Sequence, residues 1–367
     1  MKPSNYLRSL VLLFLFMGVL IVPPSRSTLN SLASFSGSGP RPAEVQSQKP
    51  ARQKGETTAA LRKLGLQLVA DVPLPGGIAR FDYQTIDQIH RRLFISQMGA
   101  NLMTVFDLDA NKIVGTVGDI PRPTGILAVP ALNKVYVSAS AANKVYVVDE
   151  KSLKTIAMVP TGSFPDGIAW DPELKRVFVS CEFGEAVTVF DALNNNVITN
   201  IQVDGEVGNT HFDPVSKMIF STVQTNGELV EIDPEKLSIV ARYPLQGCQG
   251  PHGFYIIPKP HYAFITGEDN ASYVVFDMAS KSIIARGKVG AGPDVLAYDS
   301  GYHRLYVASE SGVLSVFDIE DRAVKEIGSA FLAEHAHSVS VDRKTHRVFL
   351  PLRNKGGRAV LEILKPD

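Results

Sequence analysis

"FPDGIAWDPELKRVFVS" (164–180) decides the fold, because near-copies of it run through the chain. "RPTGILAVPALNKVYVS" (122–138) and "GPDVLAYDSGYHRLYVA" (292–308) share its skeleton. Extended outward, the aromatic of its second apolar run recurs as Phe94, Tyr136, Phe178, Phe220, Phe264, Tyr306 and Phe349, in steps of 42 to 44 residues. A second column keeps the same register: Asp107, Asp149, Asp191, Asp233, Asp277, Asp318 and Glu362. Self-similarity at this period marks a repeat architecture.

Each copy contains four short runs of Val, Ile and aromatics broken by Pro, Gly, Asn and Asp, the signature of strands and turns. In the third copy these are "GIAWD", "RVFVS", "AVTVFD" and "VITNIQV". Four strands in about 40–45 residues is the spacing of a propeller blade. The expected fold is all-β, a single seven-bladed β-propeller of four-stranded antiparallel blades. The seventh copy ends at "AVLEILKPD" without an outer strand, and "LQLVADVPL" (66–74) resembles the outer strand "KTIAMVPTG" (154–162). An N-terminal strand is therefore expected to complete the last blade and remove the open edge.

Three segments follow: 1–22, a signal peptide or N-terminal anchor; 23–63, a disordered linker; and 64–367, the propeller. Lys2 and Arg8 precede thirteen apolar residues, "LVLLFLFMGVLIV" (10–22), a length that suits a signal h-region better than a membrane span. Residues 23–56 are rich in Ser, Pro, Gly and Gln, a composition that cannot build a core. The expected location is periplasmic or secreted, with the membrane touched only through that N-terminal segment if it stays uncleaved. Charge is uneven: residues 1–63 hold nine Lys/Arg and two Asp/Glu, leaving 28 basic and 35 acidic groups in the rest. An acidic body argues against nucleic acid as a partner. Cys181 and Cys248 fall on different repeats and are read as free thiols. A monomer is expected.

"NKVYVSASAANKVYVVDEKSLKTIAMVPTGSFPDGIA" (133–169) resembles the YVTN-type repeat of YncE-like β-propellers, with the tetrad here "YVSA" (136–139), "FVSC" (178–181) and "YVAS" (306–309). The resemblance covers nearly all of 64–367. It implies an extracytoplasmic seven-bladed propeller that binds a ligand or a surface. Fold by itself does not give function.

Functional residues are sought where the columns stop being uniform. The Asp closing the third strand and the Asp before the first turn (Asp87, Asp171, Asp213, Asp299, Asp342) are read as turn caps on one face, conventionally the bottom. His261, His303 and His346 share one position in that turn and are read as solvated. On the top face, the slot held by Asp166 contains Asp82, Thr124, Asp166, Gly208, His252, Asp294 and His337. Sixteen residues on come Met98, Ser140, Glu182, Gln224, Glu268, Glu310 and Arg353, expected opposite the first set at roughly 5 Å across the ladder. His211 and His335 are expected near the same rim.

Asp82, Asp166, Glu182, His252, Glu268, Asp294, Glu310, His337 and Arg353 are thus the candidate ligand-binding residues. His252, His337, Glu268 and His211 are the candidate ligands of a divalent metal ion, the cofactor such donors would hold. Asp166 and Asp294 are the candidate bases if there is catalysis. No P-loop, G-x-S-x-G, paired C-x-x-C or C-x-x-C-H motif occurs. The expected function is a non-catalytic binding or scaffold propeller that engages a small ligand, a metal or another extracytoplasmic protein through its top face. The alternative is a metal-dependent lactonase- or lyase-type propeller.

Overall fold

A computed structural model of the protein describes residues 57–320 and 323–367. The signal or anchor expected over 1–22 and most of the linker lie outside these residues. Seven four-stranded antiparallel sheets form the seven blades. In the third blade the strands run Pro165–Asp171, Arg176–Cys181, Ala186–Asp191 and Val197–Gln202 from the axis outward, close to the four apolar runs of the repeat. Each innermost strand touches the next around the ring, and the last (Ser340–Asp342) touches the first (Gln84–Asp87). The ring is closed.

The N-terminal strand Leu66–Pro73 forms the outer edge of the last blade, antiparallel to Val360–Pro366, with Leu66 opposite Pro366 and Pro73 opposite Val360. Apolar residues stack between blades. Phe94, Tyr136, Phe178, Phe220, Phe264, Tyr306 and Phe349 are all fully buried. Each such side chain contributes about 1.5–3 kcal/mol of transfer free energy, which explains why the aromatic column is so regular. Residues 57–63, expected to be linker, form a helix that leads Leu61 and Leu64 into the same core as Tyr306, Leu350 and Leu364. Those two leucines give the segment enough apolar burial to order it. Cys181 and Cys248 are free and buried. Among the described residues, no helix is long and apolar enough to cross a membrane.

The bottom turns follow one plan. Asp87 accepts from the N–H groups of Ile89 and His90 at 2.6 and 2.9 Å, and Asp171, Asp213, Asp299 and Asp342 cap their turns alike. The residue ending each such turn is left-handed: Arg91, Asn133, Lys175, Lys217, His261, His303 and His346. Three of these reach back to the previous blade's Asp. Arg91 grips Asp342 with two 2.6 Å bonds, His261 meets Asp213 at 2.8 Å, and His346 meets Asp299 at 3.0 Å. His261 and His346 are therefore ties between blades rather than solvated turn residues, because the left-handed turn aims each ring at the neighbour. His303 lies beside Tyr298 of its own blade, 3.3 Å away.

Candidate functional site

The opening of an innermost strand, Pro-x-Gly in blades two, three and five, carries a β-bulge. In the third blade Pro165 pairs with Cys181 and Ile168 with Val179, so Asp166 and Gly167 share a single partner position. The same shift occurs at Pro123/Ile126, Val207/Thr210, Pro251/Phe254 and Pro293/Leu296. A bulge re-aims a side chain out of the sheet plane, which turns the slot residue toward the axis. It also moves the ladder: the N–H groups of Glu182, Glu268 and Glu310 bond Phe164, Gly250 and Gly292, two residues before the slot. The expected direct opposition of Asp166 with Glu182, His252 with Glu268 and Asp294 with Glu310 is corrected accordingly.

The glycine is required by the next blade. A Cβ on Gly253 would stand 1.7 Å from the carbonyl oxygen of Asp294, and one on Gly125 would stand 1.9 Å from that of Asp166. Strand-two hydroxyls hold carbonyls of the slot residues, Ser138 that of Asp166 at 2.7 Å and Thr222 that of His252 at 2.8 Å. Gly253→Ala is expected to destabilise the protein by about 1–3 kcal/mol through overpacking. Denaturant unfolding checks it; an unchanged midpoint would mean that blades five and six do not meet at this point.

The slot residues converge in a cup of about 140 Å³ lined by Asp82, Asp166, Glu182, Glu268, Asp294 and Glu310, with His252, Arg80 and Tyr83 among them. His252 Nε2 lies 3.4 Å from Asp294 and 3.8 Å from Asp166. His337, 1% exposed, puts Nδ1 3.4 Å from Glu310 and Nε2 3.9 Å from Asp294. Arg80 pairs with the other oxygen of Glu310 at 2.5 Å, and His335 bonds Glu310 at 2.9 Å from the rim. Neither His252 Nδ1 nor His337 Nε2 has a hydrogen-bond partner.

Burial and crowding set the protonation of the cup. Burial, then the charge of Asp294, raises Asp82 to about 7. Burial, then Asp82, pushes Asp166 well above the ordinary carboxylate range. Burial raises Glu182 and Glu268 as well. Asp294 goes the other way: burial would raise it, but the hydrogen bond and charge of His252 and the charge of His337 outweigh that and lower it. Glu310 is lowered likewise against its burial, chiefly by His337. Both imidazoles rise above 6.5 despite burial, His252 through Asp294 first and His337 through Glu310 first. Two ionised carboxylates therefore hold two imidazolium rings, while Asp82 and Asp166 tend to keep protons.

Tyr83 crosses the axis from blade one. Its hydroxyl accepts from Asn209 Nδ2 at 2.7 Å and donates to Asp294 at 3.3 Å, with His252 Nε2 at 3.2 Å. Burial, then the charges of Asp166 and Asp294, holds the phenol well above 10, so it stays neutral. Below it lies a larger cavity of about 370 Å³, which Tyr83 also lines together with Ile126, Phe254, Leu296 and Tyr298.

Eight of the nine expected ligand-binding residues meet in or beside the cup. Arg353 does not: its strand ends at Leu352 and seven residues (353–359) precede the next, against four (182–185) in blade three, so the longer loop carries it off. Among the described residues no hydrogen bond or ion pair joins Arg353 to the cup, and Arg80 supplies the guanidinium instead. His211 is also misplaced. It sits beyond the bulge, lines the lower cavity, and packs on Phe254 with ring centroids 4.5 Å apart. Burial drives it down to about 4, leaving it neutral. The expected metal set is thus divided, and the donor group that comes together at the cup is Asp294, Glu310 and His337, whose ligand atoms lie within 4.8 Å of one another. Tyr83, Asn209 and Arg80 were not expected. One signal for Tyr83 existed: its column otherwise reads Gly125, Gly167, Asn209, Gly253, Val295 and Ser338.

No protein-family model matches the chain, and no curated protein matches it. Solved structures do. The chain is similar to Kuenenia stuttgartiensis hydrazine synthase, with a TM-score of 0.69 and 16% identity over 81% of this chain and 98% of that one. It is also similar to a chain of a mitotic checkpoint complex, with a TM-score of 0.70 and 8% identity over 92% of this chain and 98% of that one. At these identities the likeness is one of fold alone.

Proposed function

We propose that the protein is an extracytoplasmic binding propeller of the YVTN type that takes a small cation, a metal ion or an organic ammonium group, in its top-face cup. The observation that carries this reading is the crowding of Asp82, Asp166, Glu182, Glu268, Asp294 and Glu310 around one small space. Carboxyl groups so close cannot all ionise without a counter-charge, and a cation supplies it. His252 Nε2 and His337 Nε2, which face Asp294, become nitrogen donors once an incoming cation displaces a proton from each ring. A cup of about 140 Å³ is small against the roughly 300–1,000 Å³ of sites for drug-sized molecules, which favours an ion or a compact headgroup. Protein partners at the same face fit the architecture equally.

Calorimetric titration with Mn²⁺, Zn²⁺, Ca²⁺ and small alkylammonium ions tests this. Wild type is expected to bind in the cup, and the double variant Asp166→Asn/Asp294→Asn is expected to lose that one equivalent. Because Asp82 gives up its proton only near pH 7, affinity is expected to rise between pH 6 and 8 with net proton release. A cup that takes none of these cations at pH 8 would sink the reading, as would a stoichiometry that the double variant leaves unchanged.

A further inference from the structure

On the bottom face, the seam between blades one and two breaks the plan of the others. Asp213, Asp299 and Asp342 each hold the left-handed residue of the next blade, His261, His346 and Arg91, and beside Asp171 the corresponding Lys217 pairs with Glu173 at 2.7 Å. Asp87 has no such partner. The corresponding residue of blade two is Asn133, whose amide donates instead to Asp149 of its own blade at 2.6 Å. Where Asp213, Asp299 and Asp342 meet an imidazole or a guanidinium, this seam brings up another carboxylate, Glu150.

Glu150 occupies a column that is apolar in every other blade: Leu108, Ala192, Pro234, Met278, Ile319 and Ile363. Its N–H bonds the carbonyl of Asn133 at 3.0 Å, as those of Leu108, Ala192, Met278 and Ile319 bond their own left-handed residues. The position is therefore structurally the same, and only the side chain differs. Glu150 is 1% exposed, and no hydrogen-bond donor reaches either of its oxygens. A buried carboxylate without partners costs several kcal/mol. Its neighbours are His90, whose Nδ1 lies 3.4 Å from Glu150 Oε1 and 2.7 Å from Asp87 Oδ2, and Asp87 itself. Asp87 Oδ1 is committed to its turn, which leaves Oδ2 facing the cluster. Arg92, the nearest guanidinium, ends on the carbonyl of Glu150 at 2.5 Å. Lys134, Arg176 and Arg347 make the same backbone tie to Ala192, Pro234 and Leu108 in other seams, so Arg92 is general scaffold and was not recruited for this carboxylate.

We propose that Asp87, His90 and Glu150 bind a divalent transition-metal ion of the zinc or manganese type, which closes the seam between blades one and two. One imidazole and two carboxylates is a donor set such ions take, at about 2.0–2.2 Å, with water completing the shell. The three ligand atoms already lie within 4.8 Å of one another, and His90, with 44% of its side chain exposed, has room to adjust. The site is independent of the top-face cup.

The test uses the full chain, stripped with chelator and dialysed against Zn²⁺ or Mn²⁺, with bound metal counted and thermal midpoints recorded. Glu150→Leu and His90→Ala are each expected to lose one equivalent or bind it at least tenfold more weakly, while Asp166→Asn/Asp294→Asn keeps it. Metal is expected to raise the midpoint of Asp166→Asn/Asp294→Asn, whose cup is disabled, and to leave it unmoved once Glu150→Leu is added to that variant. The metal-free Glu150→Leu protein is expected to melt above metal-free wild type, since leucine suits the apolar column. His90 is at the surface, so His90→Ala reports on binding even if Glu150→Leu folds poorly. Wild type that takes up neither ion would overturn the proposal, as would variants that keep the full equivalent and its midpoint shift.

Discussion

Asp82→Asn is expected to stabilise the protein by about 2–4 kcal/mol at pH 8, to leave it nearly unchanged at pH 4, and to weaken cation binding in the cup. Folded Asp82 holds its proton to about pH 7, against an ordinary 3.8. The folded state therefore binds more protons than the unfolded state in that window and loses stability as pH climbs through it. At about 1.4 kcal/mol per pH unit, ionising Asp82 inside the cup costs up to roughly 4 kcal/mol. Asparagine keeps the shape without the charge. The imidazoles of His252 and His337 add to the same trend, because their raised values give stability below pH 6.5 that fades as they deprotonate. Urea unfolding of wild type and variant at pH 4, 6 and 8 measures the gap. A difference between the two proteins that does not grow with pH would show that Asp82 is not crowded as described.

Leu66→Asp is expected to cost more than about 4 kcal/mol and to yield protein that self-associates. Leu66 is fully buried in the core that also contains Tyr306, Leu350 and Leu364, and it pairs with Pro366 at the end of the closing strand. Replacing a buried leucine forfeits about 2–5 kcal/mol, and the carboxylate adds a desolvation cost. Release of the strand would bare the whole edge of Val360–Pro366, a template for pairing with another chain. Size-exclusion chromatography with thermal unfolding checks this; a monomer with the wild-type midpoint would mean that the strand is dispensable for closure.

The fold was legible because a blade repeats its apolar columns, and stacking between blades permits little variation in them. Phe178 and its six equivalents carry the period, and "LQLVADVPL" betrays the closing strand by likeness to an outer strand elsewhere. The site was legible in membership, since Asp82, Asp166, His252, Asp294 and His337 stand in one slot whose chemistry varies while the turn columns do not. Its geometry was not. Pro-x-Gly reads equally as a turn and as a bulge, and only the pairing of Pro165 with Cys181 and Ile168 with Val179 distinguishes them. Arg353 was misjudged because a column position says nothing about the length of the loop it opens. Glu150 was passed over for a different reason: it follows the regular Asp149 in a polar-looking turn, and nothing local marks its position as buried.

Tyr83 gives the axis of the ring a floor. Propellers are drawn around a hole, yet here one phenol, tied to Asn209, His252 and Asp294, stands between the acidic cup and the cavity beneath it. The hole becomes two blind wells sharing a wall. Whatever enters the upper well must leave by the door it came through, past Arg80, Glu310 and His335, so its residence time is governed at that rim and not by passage along the axis. The lower well, with neutral His211 and its aromatic neighbours, can fill or empty without exchanging material with the upper one.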